Sequence, residues 1–352
     1  MIKNQHIVSS TLIQWYYKKN IIFPWRQSRD PYMIWISEIM LQQTQVSVAE
    51  KYFSKWMKKY SNIKSLSSAN LDDLSMLWAG LGYYSRVYNI YKTVHILKKN
   101  YQYILPDNYN DLIKLPGIGD YTASAILSIA YQKNYLAVDG NLKRVFSRIK
   151  MIPKNKQTLI QIKKIVSDYF FNKNAGILNQ ALMDLGRIIC KPKNPQCMIC
   201  PVCNYCKAFI KKKVHLYPHI KNKIKIPIHH VVVGIIIKNN QFLISKRLTT
   251  GMLPNLWELP GGKLMNNEIP ECGLKREILE ETGLKINIKK HIGKVKHQYS
   301  HFKINIDLFI CNFQAGNPRA LKSQKIQWIT RNQIKDFAFP SATHKLFKLL
   351  KN

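Results

Sequence analysis

Acidic side chains are scarce in this chain, 19 against 55 Lys and Arg, so each acid in apolar or tightly turned sequence invites a chemical reason. Glu38 stands alone in the apolar run WISEIMLQQ, where burial would raise its pKa and let it hold a proton near neutrality. Asp139 stands between Val138 and Gly140, eighteen residues after Tyr121, with Asn141 just beyond it in VDGN. Ahead of them, LPGIGDYTASAIL places Gly117 and Gly119 where the backbone turns sharply into an apolar helix. Amides at such a helix start are suited to binding a phosphate. Taken singly, these features have ordinary readings as a half-buried acid, an Asp-Gly turn and a turn before a helix.

Two further constellations carry chemistry. Five of the seven cysteines fall between Cys190 and Cys206, and Cys190, Cys197, Cys200 and Cys206 follow C-x6-C-x2-C-x5-C, with Cys203 left over. Four thiolates in one short loop suit a zinc ion or a [4Fe-4S] cluster, and softness alone does not choose between them. In a reducing compartment they are not expected to form a disulfide framework. Residues 262–284 fit the Nudix box G-x5-E-x7-R-E-U-x-E-E-x-G-U through Gly262, Glu268, Arg276, Glu277, Ile278, Glu280, Glu281, Gly283 and Leu284. On a helix Glu280 and Glu281 fall three and four residues after Glu277, so the carboxylates converge as a Mg2+ site requires.

Positioning these groups takes two kinds of domain. Up to about residue 190 apolar residues recur at helical spacing, as in DDLSMLWAGLGYYSRVYNIYKTVHIL, which predicts an all-α half. KKKVHLYPHIKNKIKIPIHH is basic, aperiodic and carries two prolines, the texture of a linker. From His229 β-branched runs and one strong helix at IPECGLKREILEETG predict an α+β module. The formal charge of +36 suggests a polyanionic partner, although the excess of lysine over arginine also fits compositional drift. With no signal-like N-terminus and no long apolar run, an intracellular, cytoplasmic protein without a membrane partner is expected.

The collinear segments FPWR (23–26), WISEIMLQQTQV (35–46), LWAGLGYYSRVYN (77–89), LPGIGDYTA, VDGNLKRV and NQALMDLGRIIC (179–190), then the cysteine motif and YSHF (299–302), resemble the helix-hairpin-helix DNA glycosylases. The resemblance is to the MutY-type adenine DNA glycosylases and runs nearly end to end. It implies a helix-hairpin-helix glycosylase domain over 1–210, with a six-helix part at about 25–133 and a cluster part at 1–24 and 134–210. A linker over 211–228 and a Nudix-like lesion-recognition domain over 229–352 complete the expected order.

By that resemblance Glu38 is the general acid, Asp139 stabilises an oxocarbenium-like sugar, and Asn141 and Tyr121 place water and carboxylate. Relatives that also cut the strand carry a lysine where Tyr121 stands, so a monofunctional enzyme is implied over an endonuclease III-like lyase. Lys143 is read as a phosphate contact, as are Gly117 and Gly119. Gln43 and Tyr83 would wedge into the duplex while Trp25, Arg26 and Asp184 line the adenine pocket. Arg187, Lys191 and Lys193 are candidate phosphate carriers. The cysteine spacing implies [4Fe-4S], and YSHF implies that Ser300 and His301 read the lesion. The implied partner is double-stranded DNA with adenine opposite 8-oxoguanine or guanine, met by a monomer at a bacterial nucleoid. For the Nudix box, Mg2+-dependent pyrophosphatase chemistry stands beside a favoured reading in which its glutamates hold Arg276 and nearby loop amides.

Overall fold

The structure is a computed structural model that describes residues 2–153, 158–167, 174–218, 226–299 and 301–350. The chain divides into two compact units, Met1–Ser68 with Lys92–Asn222, and Ala69–Tyr91 with Lys223–Asn352. The helices in chain order are α1 (Ile2–Lys19), α2 (Pro31–Leu41), α3 (Val46–Lys59), α4 (Ile63–Leu66), α5 (Leu71–Leu77), α6 (Ser85–Asn100) and α7 (Tyr109–Leu112). They continue with α8 (Asp120–Ile129), α9 (Gly140–Lys150), α10 (Thr158–Ser167), α11 (Ala175–Ile188) and α12 (Lys207–Ile210), and later α13 (Pro270–Thr282) and α14 (Ser341–Leu349). No helix among the described residues is long and apolar enough to cross a membrane.

In the first unit α2 and α8 are buried along most of their length, as helices whose apolar residues are not confined to one face must be. Pro31 opens α2, and the Asp30 carboxylate caps it by accepting from the Tyr32 amide at 2.8 Å. The approach of α11 to the end of α8 is so close that a Cβ on Gly176 would lie 2.4 Å from the Ser128 carbonyl oxygen. Between these helices, fully buried Asn179 donates to Ser128 Oγ and to the Tyr135 carbonyl, both at 2.9 Å, and accepts from the Ala137 amide at 3.1 Å. One side chain thus fixes the extended stretch that delivers Asp139.

The second unit contains a seven-stranded sheet, with β1 (Ile228–Lys238), β2 (Gln241–Lys246), β3 (Trp257–Glu258), β4 (Gly261–Lys263), β5 (Lys285–Gln298), β6 (Lys303–Ala315) and β7 (Lys325–Ile329). The order is β3-β2-β1-β6-β5, with β4 on β1 and β7 on β2, and only the β1–β6 pairing is parallel. Alternation along β1 sends Val232 and Ile236 into a core with Leu274 and Ile278 of α13, and Val233 and Ile235 into a core with Leu346 and Phe347 of α14. The sheet therefore lies between two helices, in an α+β unit whose second helix, α14, the sequence reading does not single out.

Residues 69–91, helical as the sequence reading has them, group with the second unit, where Asp72 pairs with Lys246 at 2.6 Å. Within the segment read as a linker, Val214–Leu216 form a 3-10 turn and β1 begins at Ile228, while 219–225 lie outside the described residues.

Asn179→Ala strands the Ala137 amide and the Tyr135 carbonyl in a dry site, and a loss of about 3 kcal/mol is expected from denaturant unfolding. Retention of wild-type stability would show that this stretch is held by other groups.

Candidate active site and cysteine loop

A cleft of about 1180 Å³ in the first unit is lined by residues that include Trp25, Arg26, Glu38, Gln43, Gly119, Tyr121, Asp139, Asn141, Lys143, Asp184 and Arg187. Glu38 lies on α2 at only 5% exposure. Tyr121, in the first turn of α8, donates its hydroxyl to Glu38 Oε2 at 2.6 Å. Burial pushes the Glu38 carboxyl up to about 7, the Tyr121 hydrogen bond opposes that shift, and the Asp139 charge adds to it. The Tyr121 phenol is itself driven well above its ordinary value, first by burial and then by Glu38. It stays protonated and remains a donor.

Asp139 is the N-cap of α9, accepting from the Leu142 amide at 2.7 Å, and its other oxygen accepts from Asn141 Nδ2 at 2.9 Å. Burial raises its pKa while the Leu142 and Asn141 amides and the Asn141 side chain pull it back. The two carboxyl groups therefore occupy unequal surroundings. One has a single phenol for a partner, and the other has several N–H donors at a helix start, which favours its anion.

Sequence reasoning missed what holds this arrangement from behind. Arg144 donates to Asn141 Oδ1 at 2.7 Å, to the Gly186 carbonyl at 2.8 Å and to the Cys190 carbonyl at 2.7 Å. A helix-spaced arginine three residues after Asn141 was the available signal, but nothing in the sequence shows that it reaches Cys190. Asn179, also missed, acts on the other side of Asp139.

At the opposite wall Arg26 reaches Asp184 at 2.5 Å, and Arg187 reaches the same carboxylate at 3.1 Å. Asp184 is 2% exposed, so its charge is held by two guanidinium groups rather than by water. Arg26 and Arg187 also lie over the Phe23 ring at 4.9 and 5.4 Å, and Phe23 stacks on Trp25 at 5.1 Å. Arg187 is thus engaged with Asp184, whereas Lys191 and Lys193 are exposed.

The cysteine loop bounds a second, smaller cavity that Cys190, Cys197, Cys200, Cys203 and Cys206 share with Val145, Arg148, Ile149 and Leu185. Arg148, 3% exposed, donates to Cys190 Sγ at 3.3 Å and to the carbonyls of Lys191, Pro192 and Tyr217. Among the described residues no three His, Cys, Asp or Glu side chains converge as the ligands of a single ion would. Soft donors around one cavity, with a guanidinium beside them to offset thiolate charge, nonetheless fit a polynuclear sulfur-ligated group.

Tyr83, 40% exposed, takes a left-handed conformation (φ 49) in the turn before α6, as Gln43 does (φ 56) after α2, and Gly117 (φ 79) turns the chain ahead of α8. Between β5 and β6, Tyr299 and Phe302 pack together at 5.1 Å and His301 is exposed. Ser300 lies outside the described residues.

On α13, Arg276 bonds to Glu268 at 2.8 Å, to Glu277 at 2.8 Å and to Glu280 at 3.4 Å. Glu281 accepts from the Gly261 amide at 3.1 Å, and burial pushes its carboxyl up to about 7. Those are the bonds expected of glutamates that hold Arg276 and a loop.

Comparisons with known proteins place this geometry. Residues 36–168 match the HhH-GPD superfamily base excision DNA repair protein family, and residues 232–349 match the NUDIX domain. The adenine DNA glycosylase of Buchnera aphidicola subsp. Schizaphis graminum is 35% identical over 98% of this chain and 99% of its own. The Homo sapiens adenine DNA glycosylase is 28% identical over 96% of this chain and 73% of its own. Among solved structures, a thermostable thymine-DNA glycosylase superposes with a TM-score of 0.54 at 25% identity, covering 59% of this chain and 98% of its own.

Because the phenol bond stabilises the Glu38 anion, Tyr121→Phe should move the Glu38 titration upward from about 7. Carboxyl 13C NMR of the two proteins is the check, and an unchanged or lowered titration would mean that the bond does not form.

Proposed function

The chain belongs to the adenine DNA glycosylase family, and from that premise we propose that it removes adenine opposite 8-oxoguanine or guanine without cutting the strand. The observation that carries the reading is the buried Tyr121–Glu38 bond of 2.6 Å in a cleft that also holds Asp139. An acid held near 7 is half protonated at neutral pH, so Glu38 is suited to give adenine N7 a proton as the glycosidic bond breaks. The bonding electrons leave with the base. Asp139 supports the positive charge that develops on the sugar, Asn141 orients it, and a water adds to the sugar carbon and loses a proton, which leaves an intact strand with an abasic site.

Lyase chemistry requires an amine that attacks the sugar and forms an imine. Tyr121 offers a phenol there. Lys143 lines the cleft one turn into the helix capped by Asp139, and we assign it a phosphate contact. Gly117 and Gly119 are assigned a second phosphate at the start of α8. Trp25, Arg26 and Asp184 form the wall that receives the flipped adenine, and Gln43 and Tyr83 fill the gap it leaves.

Cys190, Cys197, Cys200 and Cys206 are assigned to a [4Fe-4S] cluster, supported by their spacing and shared cavity. When bound, such a group supplies cross-linking of the loop rather than acid–base chemistry at the sugar. Arg144 then ties the backbone of Cys190 to Asn141. Ser300 and His301 are assigned to reading the base opposite adenine, in a monomer bound to duplex DNA.

In single-turnover assays Glu38→Gln should lose base release by about a hundredfold or more while mispair binding persists. Wild-type rates should fall as pH rises past about 7, because the acid is competent only while protonated. Base release by Glu38→Gln within about tenfold of wild type would remove the acid role. Borohydride should trap little covalent complex, and efficient trapping would favour a lyase.

Ser300→Ala combined with His301→Ala should erode the preference for 8-oxoguanine over guanine by about tenfold, since a lost base-edge hydrogen bond is worth about 1 to 3 kcal/mol. Glu280→Gln with Glu281→Gln should leave that preference intact. If the glutamate pair alone abolishes it, the lesion reader lies in the Nudix helix.

A further inference from the structure

The cysteine loop consists of two successive turns of one design. Cys197–Ile199 and Cys203–Tyr205 are each a 3-10 turn opened by a cysteine. Each closes on a second cysteine, Cys200 or Cys206, whose amide donates to the opening residue's carbonyl at 3.1 and 3.0 Å. The closing residues have similar extended backbones, φ −76 and ψ 126 at Cys200 and φ −88 and ψ 102 at Cys206. A bond of the same span, from the Cys203 amide to the Cys200 carbonyl at 3.1 Å, joins the turns. Cys203 therefore stands in the second turn where Cys197 stands in the first.

The surroundings repeat the equivalence. Cys190, Cys200 and Cys206 pack against the apolar core built on Leu142, Val145 and Leu185, whereas Cys197 and Cys203 are not part of that packing among the described residues. All five are partly buried and line one cavity, so the contrast between them lies in that packing. Three cysteines thus pack on the core, and the remaining position has two candidates of matched backbone setting.

We infer that Cys203 is a reserve ligand, able to supply the fourth thiolate to the proposed cluster when Cys197 is lost; the inference rests on that cluster reading. The exchange needs no oxidant or reductant. The Cys203 thiol releases its proton to water as its sulfur bonds to iron, and one thiolate takes the place of another, so the charge of the ligand set is unchanged.

The test compares the full-length wild type, Cys197→Ser, Cys203→Ser and the double variant, purified without oxygen. Iron and acid-labile sulfide per chain are measured with circular dichroism as a control for folding. Cys203→Ser should keep the wild-type content, Cys197→Ser at least about half of it, and the double variant should fall about fivefold, since a cluster lacking a cysteine is poorly held. A second readout does not depend on the double variant folding. Iodoacetamide followed by peptide mapping should modify Cys203 in the wild type and find it protected in Cys197→Ser. Equal iron loss in Cys197→Ser and a folded double variant, or Cys203 modified as readily in Cys197→Ser as in wild type, overturns the reserve role. Wild-type protein without iron fails the cluster reading itself, and that failure is seen before any substitution is made.

Discussion

Placing a carboxylic acid among apolar helices is the constraint on which the rest of this site depends. A carboxylate at 5% exposure is costly, and the chain offers Glu38 one close partner, a phenol, rather than a cation. Arg26 is near enough to pull the pKa down a little, but it is committed to Asp184. The balance leaves the carboxyl at about 7, where both protonation states are populated in neutral solution. A lysine beside Glu38 would hold it as an anion and remove the proton that an acid needs.

Asp139 meets the opposite requirement with the same residue class. As the N-cap of α9 it gains the Leu142 amide, and through Asn141 it gains a side-chain donor that Arg144 holds from behind. Its contribution to folding and its suitability as an anion therefore come from the same bonds. The cap aims the carboxylate, α9 is anchored in the core by Leu142, Val145 and Phe146, and Asn179 fixes the approach of the chain. Close packing extends the link, since a Cβ on Gly186 would lie 2.6 Å from Asn141 Cβ. Asn141 is thus confined by α11 on one side and by Arg144 on another.

Much of this was legible in sequence because motif residues carry their own local geometry. Gly119 ahead of an apolar run marks the start of α8, Asp139-Gly140-Asn141 marks a helix cap, and the period of the apolar residues separates the helical half from the sheet half. The unread partners are of another kind. Arg144 finds Gly186 and Cys190, and Asn179 finds Tyr135 and Ala137, across more than forty residues of chain. Their identities follow from how helices cross, which no local pattern encodes. Arg187 illustrates the same gap: nothing local shows that it reaches back to the buried charge of Asp184, which Arg26 also meets across more than a hundred residues of chain. The membership of residues 69–91 in the second unit is also a long-range property.

The Nudix helix shows how one carboxylate set can satisfy two demands that compete. Helical spacing brings Glu277, Glu280 and Glu281 together, and such convergence is costly unless something positive or hydrogen-bonding lies among them. In this chain Arg276 lies between Glu268, Glu277 and Glu280, Lys322 pairs with Glu280 at 2.6 Å, and the Gly261 amide meets Glu281. A Cβ at Gly262 would lie 2.3 Å from Glu277 Oε2, so a side chain there would push the Glu277 carboxylate aside. A divalent cation at these carboxylates would share Glu277 and Glu280 with Arg276 and would favour the ionised form of Glu281, whose carboxyl burial pushes up to about 7. The arrangement that makes the box look like a metal site therefore also makes it a clasp for the sheet, and its glutamates have structural work in the absence of any ion.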